Sequence, residues 1–342
     1  MNRLKVAGYL VWITGVVLFL CLLVSQGFRT VLNAVVVAGW GICIVPLAQA
    51  FPMLSDALAW RRLLAPGQRP PLGVLFRIRW IGESVNNLLP VAAVAGEFLR
   101  AWLLRGLARI PGAKAGASVI GDMTAGIASQ CVFTALGIAL LLGVEGQSEL
   151  VSVAALGCGL LGFMVVGFYT AQRAGLFTFS SQLVVRVMRK ESWLSLIGTG
   201  STLDAQITAL YARRSDVFMS LAWRFTGWCA GTIEVWLGFY FLGHPVGFTQ
   251  ALMVESLLRA VRSAAFVVPG ALGIQEGALI VLGGVVGAAP EVALALALLK
   301  RVRELGWGIP GLLYWQFSHL HKVWVDRSRG VEDRVALEGH QE

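Results

Sequence analysis

Long apolar segments separated by short charged loops dominate the chain and predict helices that cross a membrane. Six segments have the length of about 20 residues that a bilayer crossing needs; they are 6–24, 31–53, 115–142, 151–171, 217–242 and 291–317. The first segment is also open to interpretation as a cleaved signal peptide, but no A-x-A-like cleavage site follows it, which favours a signal anchor.

The positions of the charges predict the orientation of these helices. Residues 61–79 contain five arginines and no acid, which is typical of a cytoplasmic loop and places the N-terminus inside. The basic segments 172–216 and 318–342 are predicted to be cytoplasmic as well, whereas the loop 143–150 is acidic and external. Apolar residues recur at helical spacing in 183–197, which predicts either an amphipathic helix on the membrane surface or a plain linker helix.

Two further apolar stretches are interrupted by proline and glycine. Residues 267–277 read VVPGALGIQEG and place Pro269, Gly273 and Glu276 in an otherwise apolar region. Residues 81–98 contain Pro90 and Glu97, and their 18 residues are too few for two crossings. Lipid offers no hydrogen bonds to interrupted backbone, so such segments need a protein cover or a wet cavity. We therefore predict two re-entrant helical hairpins, and we expect Asn86 and Asn87 to cap backbone beside the first.

The two interrupted stretches match each other at a constant offset of 179 residues. At this offset Pro90 corresponds to Pro269, Glu97 to Glu276 and Pro111 to Pro290. We interpret the match as an internal duplication, with repeat 1 at about 55–142 and repeat 2 at about 217–317 in a single integral membrane domain, 1–342. Three crossings separate the hairpins, so the second repeat is inverted relative to the first. The predicted fold class is an all-α polytopic membrane protein with about six full transmembrane helices and two re-entrant hairpins in an inverted repeat.

Charged residues inside the apolar segments are the candidate site. Each one would cost on the order of 2.5 to 3.5 kcal/mol if it faced lipid unpaired, so these residues are expected to face protein, water or an anion. We predict that Glu97, Asp122, Arg262, Glu276 and Arg301 converge on an anionic head group, with internal ion pairs that hold helix register as the alternative. The predicted substrate-binding residues are Glu97, Asp122, Arg262, Pro269, Gly273, Glu276, Arg301 and Glu304. The possible accessory residues are Glu83, Asn87, Pro90, Arg100, Arg259 and Lys300.

Signals for catalysis and for cofactors are weak. The four histidines form no nucleophile arrangement and no metal-ligand spacing, and no phosphate-binding loop occurs. We therefore expect no enzyme activity, no cofactor and no metal. The net charge of +9 follows membrane topology, so we expect no nucleic-acid partner. The five cysteines lie in apolar segments and predict no disulfide framework. A composition of 57% hydrophobic and 14% charged residues, with a mean hydropathy of +0.73, agrees with a membrane protein.

Three motifs carry a resemblance to a known family. They are ESVNNLLPVAAVAGEFLRAWLL at 83–104, VVPGALGIQEG at 267–277 and LLKRVREL at 298–305. Together they resemble the transmembrane region of the lysylphosphatidylglycerol synthase and flippase superfamily, especially its small stand-alone members encoded with hopanoid biosynthesis. The family's usual Gly-Gly before the first acid is replaced here by Ala95-Gly96.

The resemblance implies a protein of the bacterial inner membrane that moves a polar or polycyclic lipid between leaflets. Because the chain ends at Glu342, an aminoacyl-transferase domain like that of the bifunctional relatives is not expected. The leading hypothesis is a lipid translocase whose partner is a membrane lipid with an anionic or polar head group. One alternative is a scaffold that recruits lipid-biosynthesis enzymes through 172–216, and another is an intramembrane enzyme that uses Asp122 and the hairpin glutamates. The sequence predicts no oligomeric state.

Overall fold

The structure, a computed structural model, describes residues 36–89, 95–145, 149–174, 200–265, 271 and 273–338. Within these ranges the regular elements are helices, and no strand occurs. A short 3₁₀ turn, Pro66–Gln68, follows the second α-helix. The α-helices are α1 (Gly41–Leu47), α2 (Ala50–Leu63), α3 (Leu72–Leu88), α4 (Ala95–Ala108), α5 (Gly112–Glu145), α6 (Glu149–Arg173), α7 (Gly200–Ala212), α8 (Arg214–Phe241), α9 (Phe248–Ala264), α10 (Ile274–Val285) and α11 (Pro290–Glu338).

Several predicted crossings coincide with helices. The segments 115–142, 151–171 and 217–242 fall within α5, α6 and α8, with ends that differ by a few residues. The described part of the segment 31–53 forms α1 and the start of α2, and the helical span continues to Leu63. By length and composition, two described spans are apolar enough to cross a membrane, Gly41–Leu63 and Gly112–Val144. The predicted crossing 6–24 lies outside the described residues.

The predicted cytoplasmic segments 172–216 and 318–342 are partly helical. The last helix, α11, continues from the predicted crossing 291–317 to Glu338, because 318–338 contains no proline to interrupt it. In the segment 172–216, α7 packs on α5 through Leu203 and Ile207 against Ala117. The apolar positions at 183–197 lie outside the described residues.

Both predicted hairpins are pairs of packed helices. In the first, α3 packs against α4, and in the second, α9 packs against α10. The predicted bounds of the first hairpin, 81–98, are too narrow, because α3 begins at Leu72, directly after Pro70 and Pro71, and α4 ends at Ala108. The prolines of the predicted hairpin loops, Pro90 and Pro269, lie outside the described residues.

The offset of 179 residues relates the helices as well as the sequence landmarks. The start of α4 at residue 95 becomes 274, where α10 begins, and the start of α5 at residue 112 becomes 291, one residue after the start of α11. The span 41–63 of α1 and α2 becomes 220–242, which lies at the end of α8. The order of helices is therefore repeated in the two halves of the chain.

The two repeats pack crosswise. The first hairpin helix of repeat 1, α3, lies on α11 of repeat 2, and the first hairpin helix of repeat 2, α9, lies on α5 of repeat 1. Glycine allows both crossings to be close. A Cβ atom on Gly137 of α5 would collide with Ser256 of α9, and a Cβ atom on Gly311 of α11 would collide with Ser84 of α3. The two repeats therefore form one packed unit.

The close crossing of α5 and α9 leads to a testable prediction. We expect Gly137→Ala to lower the free energy of unfolding by about 1–3 kcal/mol, because the added methyl group overpacks the contact with Ser256. Denaturant titration in mixed micelles, followed by tryptophan fluorescence, measures this value. Gly143→Ala is the matched control on the same helix, since no atom lies within 4 Å of a Cβ there. Equal stability of the two variants would contradict the close crossing.

Candidate functional site

Asp122 lies at the centre of the first of two buried ion-pair clusters. Its carboxylate is 0% exposed and accepts hydrogen bonds from three arginines, at 3.0 Å from Arg79, 2.6 Å from Arg100 and 2.6 Å from Arg224. These arginines come from α3, α4 and α8, so the carboxylate of α5 joins four helices. We call this group the Asp122 cluster; its members are Asp56, Arg79, Glu97, Arg100, Asp122 and Arg224.

The arginines of the Asp122 cluster have further acidic partners. Asp56 on α2 pairs with Arg79 at 2.6 Å and with Arg224 at 3.0 Å. Glu97, in the first turn of α4, pairs with Arg100, whose guanidinium also lies 4.3 Å from the ring centroid of Trp60. Three acids thus meet three arginines, so the cluster is formally neutral. Its charges are satisfied from inside the bundle, as buried charges must be.

One prediction about this region was wrong. Arg79 was assigned to a cytoplasmic loop, but its side chain is buried against Asp122, beside that of the predicted accessory residue Arg100. The physical reason is the length of the hairpin, since α3 starts before Arg79 and α4 continues past Arg100.

Glu304 on α11 organises the second cluster. Its carboxylate pairs with Arg262 of α9 and, at 2.9 Å, with Arg301 one turn earlier on α11. Arg301 also donates to Glu276 at 3.0 Å. On the other side, Lys300 donates to Glu255 at 2.8 Å and pairs with Glu234 at 3.3 Å. We call this group the Glu304 cluster; its members are Glu234, Glu255, Arg259, Arg262, Glu276, Lys300, Arg301, Arg303 and Glu304.

The Glu304 cluster has one more cation than acid, because it contains five basic and four acidic residues. A fifth acid, Glu83, is connected to the cluster by Gln49. The Gln49 amide donates to Glu83 at 3.2 Å and accepts from Arg303 at 2.8 Å. Glu83, Asn87, Arg303 and Glu304 line a narrow cavity of about 10 Å³, which is the space of about one water molecule. Glu83 lies on α3 one turn beyond Arg79 and so stands between the two clusters.

In each hairpin, a glutamate lies in the first turn of the second helix. It either caps that helix or contacts the residue that caps it. In the second hairpin, Glu276 accepts from the Gly273 N–H at 2.7 Å. Gly273 has φ 79°, a left-handed conformation that glycine adopts without strain. In the first hairpin, the side chain of Asn86 accepts from the Gly96 N–H at 2.8 Å and donates to Glu97. The predicted capping role of Asn86 is confirmed.

The structure places most of the predicted site residues in the two clusters or beside them, whereas Pro90 and Pro269 lie outside the described residues. Glu97, Arg100 and Asp122 belong to the Asp122 cluster. The Glu304 cluster contains Arg259, Arg262, Glu276, Lys300, Arg301 and Glu304, and Gly273 caps the helix that carries Glu276. Glu83 and Asn87 lie at the narrow cavity. The five residues predicted to converge are divided between the clusters, and within the described ranges no ion pair joins one cluster to the other.

Sequence reasoning missed several members of the clusters. Arg224 and Glu234 were recognisable as intramembrane charges that need partners, and the structure supplies Asp122 for Arg224 and Lys300 for Glu234. Asp56 and Gln49 had no signal, because both lie in an apolar helical region and each has a partner more than 100 residues away, Arg224 for Asp56 and Arg303 for Gln49. In the described part of the chain, no group of three or more histidine, cysteine and acidic residues is arranged to hold a metal ion.

Comparison with known proteins agrees with an all-helical membrane protein. The family model described as lysylphosphatidylglycerol synthase TM region matches residues 6–309, which include both hairpins and both clusters. Comparison with curated proteins and with solved structures found no match. Since the family model covers most of the chain, this multi-pass membrane protein with a lipid-related function belongs to the lysylphosphatidylglycerol synthase transmembrane-region family.

Proposed function

We propose that the protein is a lipid translocase that moves a polar lipid between the two leaflets of the membrane. The observation that carries this proposal is the repeated pair of helical hairpins, each of which places a glutamate, Glu97 or Glu276, beside buried arginines. Secondary transporters use repeated halves of this kind and bind cargo where the halves meet. The membrane we propose is the bacterial inner membrane, with both termini cytoplasmic.

The crosswise packing of the repeats supports a transport cycle. Because α3 lies on α11 and α9 lies on α5, a shift of one hairpin changes a contact with the opposite repeat. Alternating access requires two states, and we propose that the related contacts at the two crossings exchange between them. The proposed cycle opens the first hairpin toward one leaflet and the second toward the other.

The charges of the Glu304 cluster support a polar or anionic head group as the cargo. The cluster carries one more cation than acid, so an incoming anion would complete its charge balance. Arg301 is the best placed to receive it, since its acidic partner Glu276 lies at a helix start and both side chains are partly accessible. The arginine guanidinium can bind a phosphate or carboxylate through two parallel hydrogen bonds. A polycyclic hopanoid with a polar side chain is a cargo consistent with the sequence resemblance.

Transport by purified protein tests the proposal. We expect liposomes that contain the wild-type protein to move a fluorescent lipid between leaflets faster than protein-free liposomes. The Glu276→Gln and Arg301→Ala variants are each expected to lower this rate by about tenfold, since each loses a hydrogen bond between charged groups. Accessibility of the fluorophore to an impermeant reductant measures the rate.

Glu291→Gln is the matched control for Glu276→Gln. Glu291 also lies in the first turn of a helix, but it is exposed and lies outside the clusters. We expect its transport rate to equal that of the wild type. Glutamine at position 276 still accepts from the Gly273 N–H, so the fold of that variant is expected to persist. An unchanged wild-type rate over protein-free liposomes, or equal rates in all variants, would refute the proposal.

We further propose that the lipid crosses without chemical change. The buried acids of both clusters are paired with arginine or lysine inside the bundle, so their oxygens are already engaged as hydrogen-bond acceptors. Chromatography and mass spectrometry of the lipid after incubation with purified protein check this point. A new lipid mass that depends on Asp122 or Glu276 would instead support an intramembrane enzyme.

A further inference from the structure

A second cavity lies apart from both clusters, where α7 folds back over the bundle. It has a volume of about 140 Å³ and is bounded by the end of α2, the start of α5 and one face of α7. Its lining includes Leu63, Leu64, Gln68, Lys114, Leu210 and Arg213. This volume is more than ten times that of the narrow cavity beside Glu83, and it is large enough for a phosphate group with several atoms attached.

The polar lining of this cavity is strongly basic. Lys114 donates to the neutral side chain of Gln68 at 3.2 Å, and in the part of the chain that the structure describes no carboxylate lies within ion-pair distance of it. Arg213 shares one acid, Asp216, with Arg69, at 3.0 and 2.7 Å respectively. The described lining thus contains two cations, Lys114 and Arg213, and no acid, and the one acid paired with Arg213 is shared with Arg69 outside the lining.

Arg213 is also held in place, so its charge has a defined position. It donates to the carbonyl oxygens of Leu63 at 2.6 Å and Leu64 at 3.1 Å, the last residues of α2 and its C-terminal cap. A preorganised guanidinium loses little further freedom when it binds an anion. The cavity thus combines one fixed cation with one flexible cation, Lys114.

Apart from Gln206, the remaining wall of the cavity is apolar. Leu63, Leu64, Ile110 and Leu210 line it and belong to the buried core. A soluble anion alone would leave this surface without a matching partner, whereas an amphiphile would contact both parts. The cavity also lies beside residues 61–69, part of the basic loop predicted to face the cytoplasm, where anionic lipids of the inner leaflet attract lysine and arginine.

We propose that this cavity binds the phosphate of an anionic phospholipid from the cytoplasmic leaflet. The phosphate lies between Lys114 and Arg213, and the glycerol backbone and the start of an acyl chain contact the leucine wall. The site is distinct from the translocation clusters and binds its lipid without transporting it. Through Arg213 and α7, the bound lipid ties the segment 200–216 to the end of α2.

Binding of a labelled short-chain lipid to delipidated protein in detergent tests the proposal. We expect fluorescent dioctanoyl phosphatidic acid to bind with a dissociation constant that rises about tenfold in Lys114→Gln, since a hydrogen bond between charged groups is lost. Lys114→Arg is expected to bind within about twofold of the wild type, because it keeps the charge. The same comparison is made in the Arg301→Ala background, in which the Glu304 cluster has lost its proposed head-group arginine. Lys114→Gln is expected to raise the dissociation constant about tenfold there as well, which separates this cavity from the Glu304 cluster and from the transport proposal.

Arg214→Gln is the matched control, because Arg214 is the exposed neighbour of Arg213 and does not line the cavity. It is expected to leave the dissociation constant unchanged. Dioctanoyl phosphatidylcholine, which carries no net charge, and glycerol 3-phosphate, which has no acyl chain, are expected to compete poorly. Equal weakening by Lys114→Gln and Arg214→Gln, or competition by glycerol 3-phosphate as strong as that by unlabelled phosphatidic acid, would overturn the proposal.

Discussion

Replacing Asp122 by asparagine is expected to lower the free energy of unfolding by about 3–5 kcal/mol, the cost of breaking a buried ion pair. Asparagine keeps the shape of the side chain but removes the charge that Arg79, Arg100 and Arg224 share. Three buried guanidinium groups then have only Asp56 and Glu97 as acids. Denaturant titration in mixed micelles measures the change, and a lower yield of monodisperse protein in size-exclusion chromatography should accompany it.

Asp216→Asn is the matched control for this prediction. Asp216 also pairs with two arginines, Arg69 and Arg213, but its side chain is 19% exposed. We expect a loss of about 0–1 kcal/mol, as for ion pairs near the surface. Combining Asp122→Asn with Arg224→Met should cost less than the sum of the two single changes, because the second removes one unpaired cation. Equal losses for Asp122→Asn and Asp216→Asn would contradict the central role of Asp122.

The second large effect is expected for Lys300→Met in the Glu304 cluster. Lys300 is 2% exposed and lies between Glu234 and Glu255, both of which are buried. Methionine matches the length of lysine but leaves two carboxylates with one arginine each. We expect the free energy of unfolding to fall by about 3 kcal/mol, again measured by denaturant titration in mixed micelles.

A compensating change distinguishes charge imbalance from a packing defect at this position. Adding Glu255→Gln to Lys300→Met removes one of the two acids and should restore part of the lost stability. Lys114→Met serves as the control for removal of a lysine, because Lys114 is half-buried and has an amide partner; we expect a change within about 0.5 kcal/mol. No recovery in the double variant would show that the loss at Lys300 comes from packing.

Local patterns in the sequence were sufficient to predict the main helices and the related proline and glutamate positions of the two hairpins. Apolar runs predicted α5, α6 and α8 because their length and composition are local properties. The recurrence of proline and glutamate at an offset of 179 predicted the related positions of Glu97 and Glu276, and the starts of α4 and α10 follow the same offset. Lys300, Arg301 and Glu304 lie close together in an apolar segment, and this local feature predicted that they belong to a buried site.

The pairing of the charges depended on tertiary packing and could not be predicted. Arg224 is 102 residues from Asp122 and Arg303 is 254 residues from Gln49, and no local rule connects positions so far apart. Counting arginines to orient loops also led to an error at Arg79, because the rule assumes that a cation beside an apolar segment faces water. A cation buried against an acid on another helix violates that assumption.

The crosswise contact between the repeats has a consequence for how the protein is made. Helix α11 begins about 200 residues after α3 ends, so the surface of α3 that includes Ser84 cannot pack on α11 until those further residues have been made. Contacts between residues so distant in the chain form slowly, and partly assembled chains expose surfaces that invite misassembly. The first half therefore leaves the ribosome with its packing incomplete, and the crosswise contacts form only after the second half has been inserted.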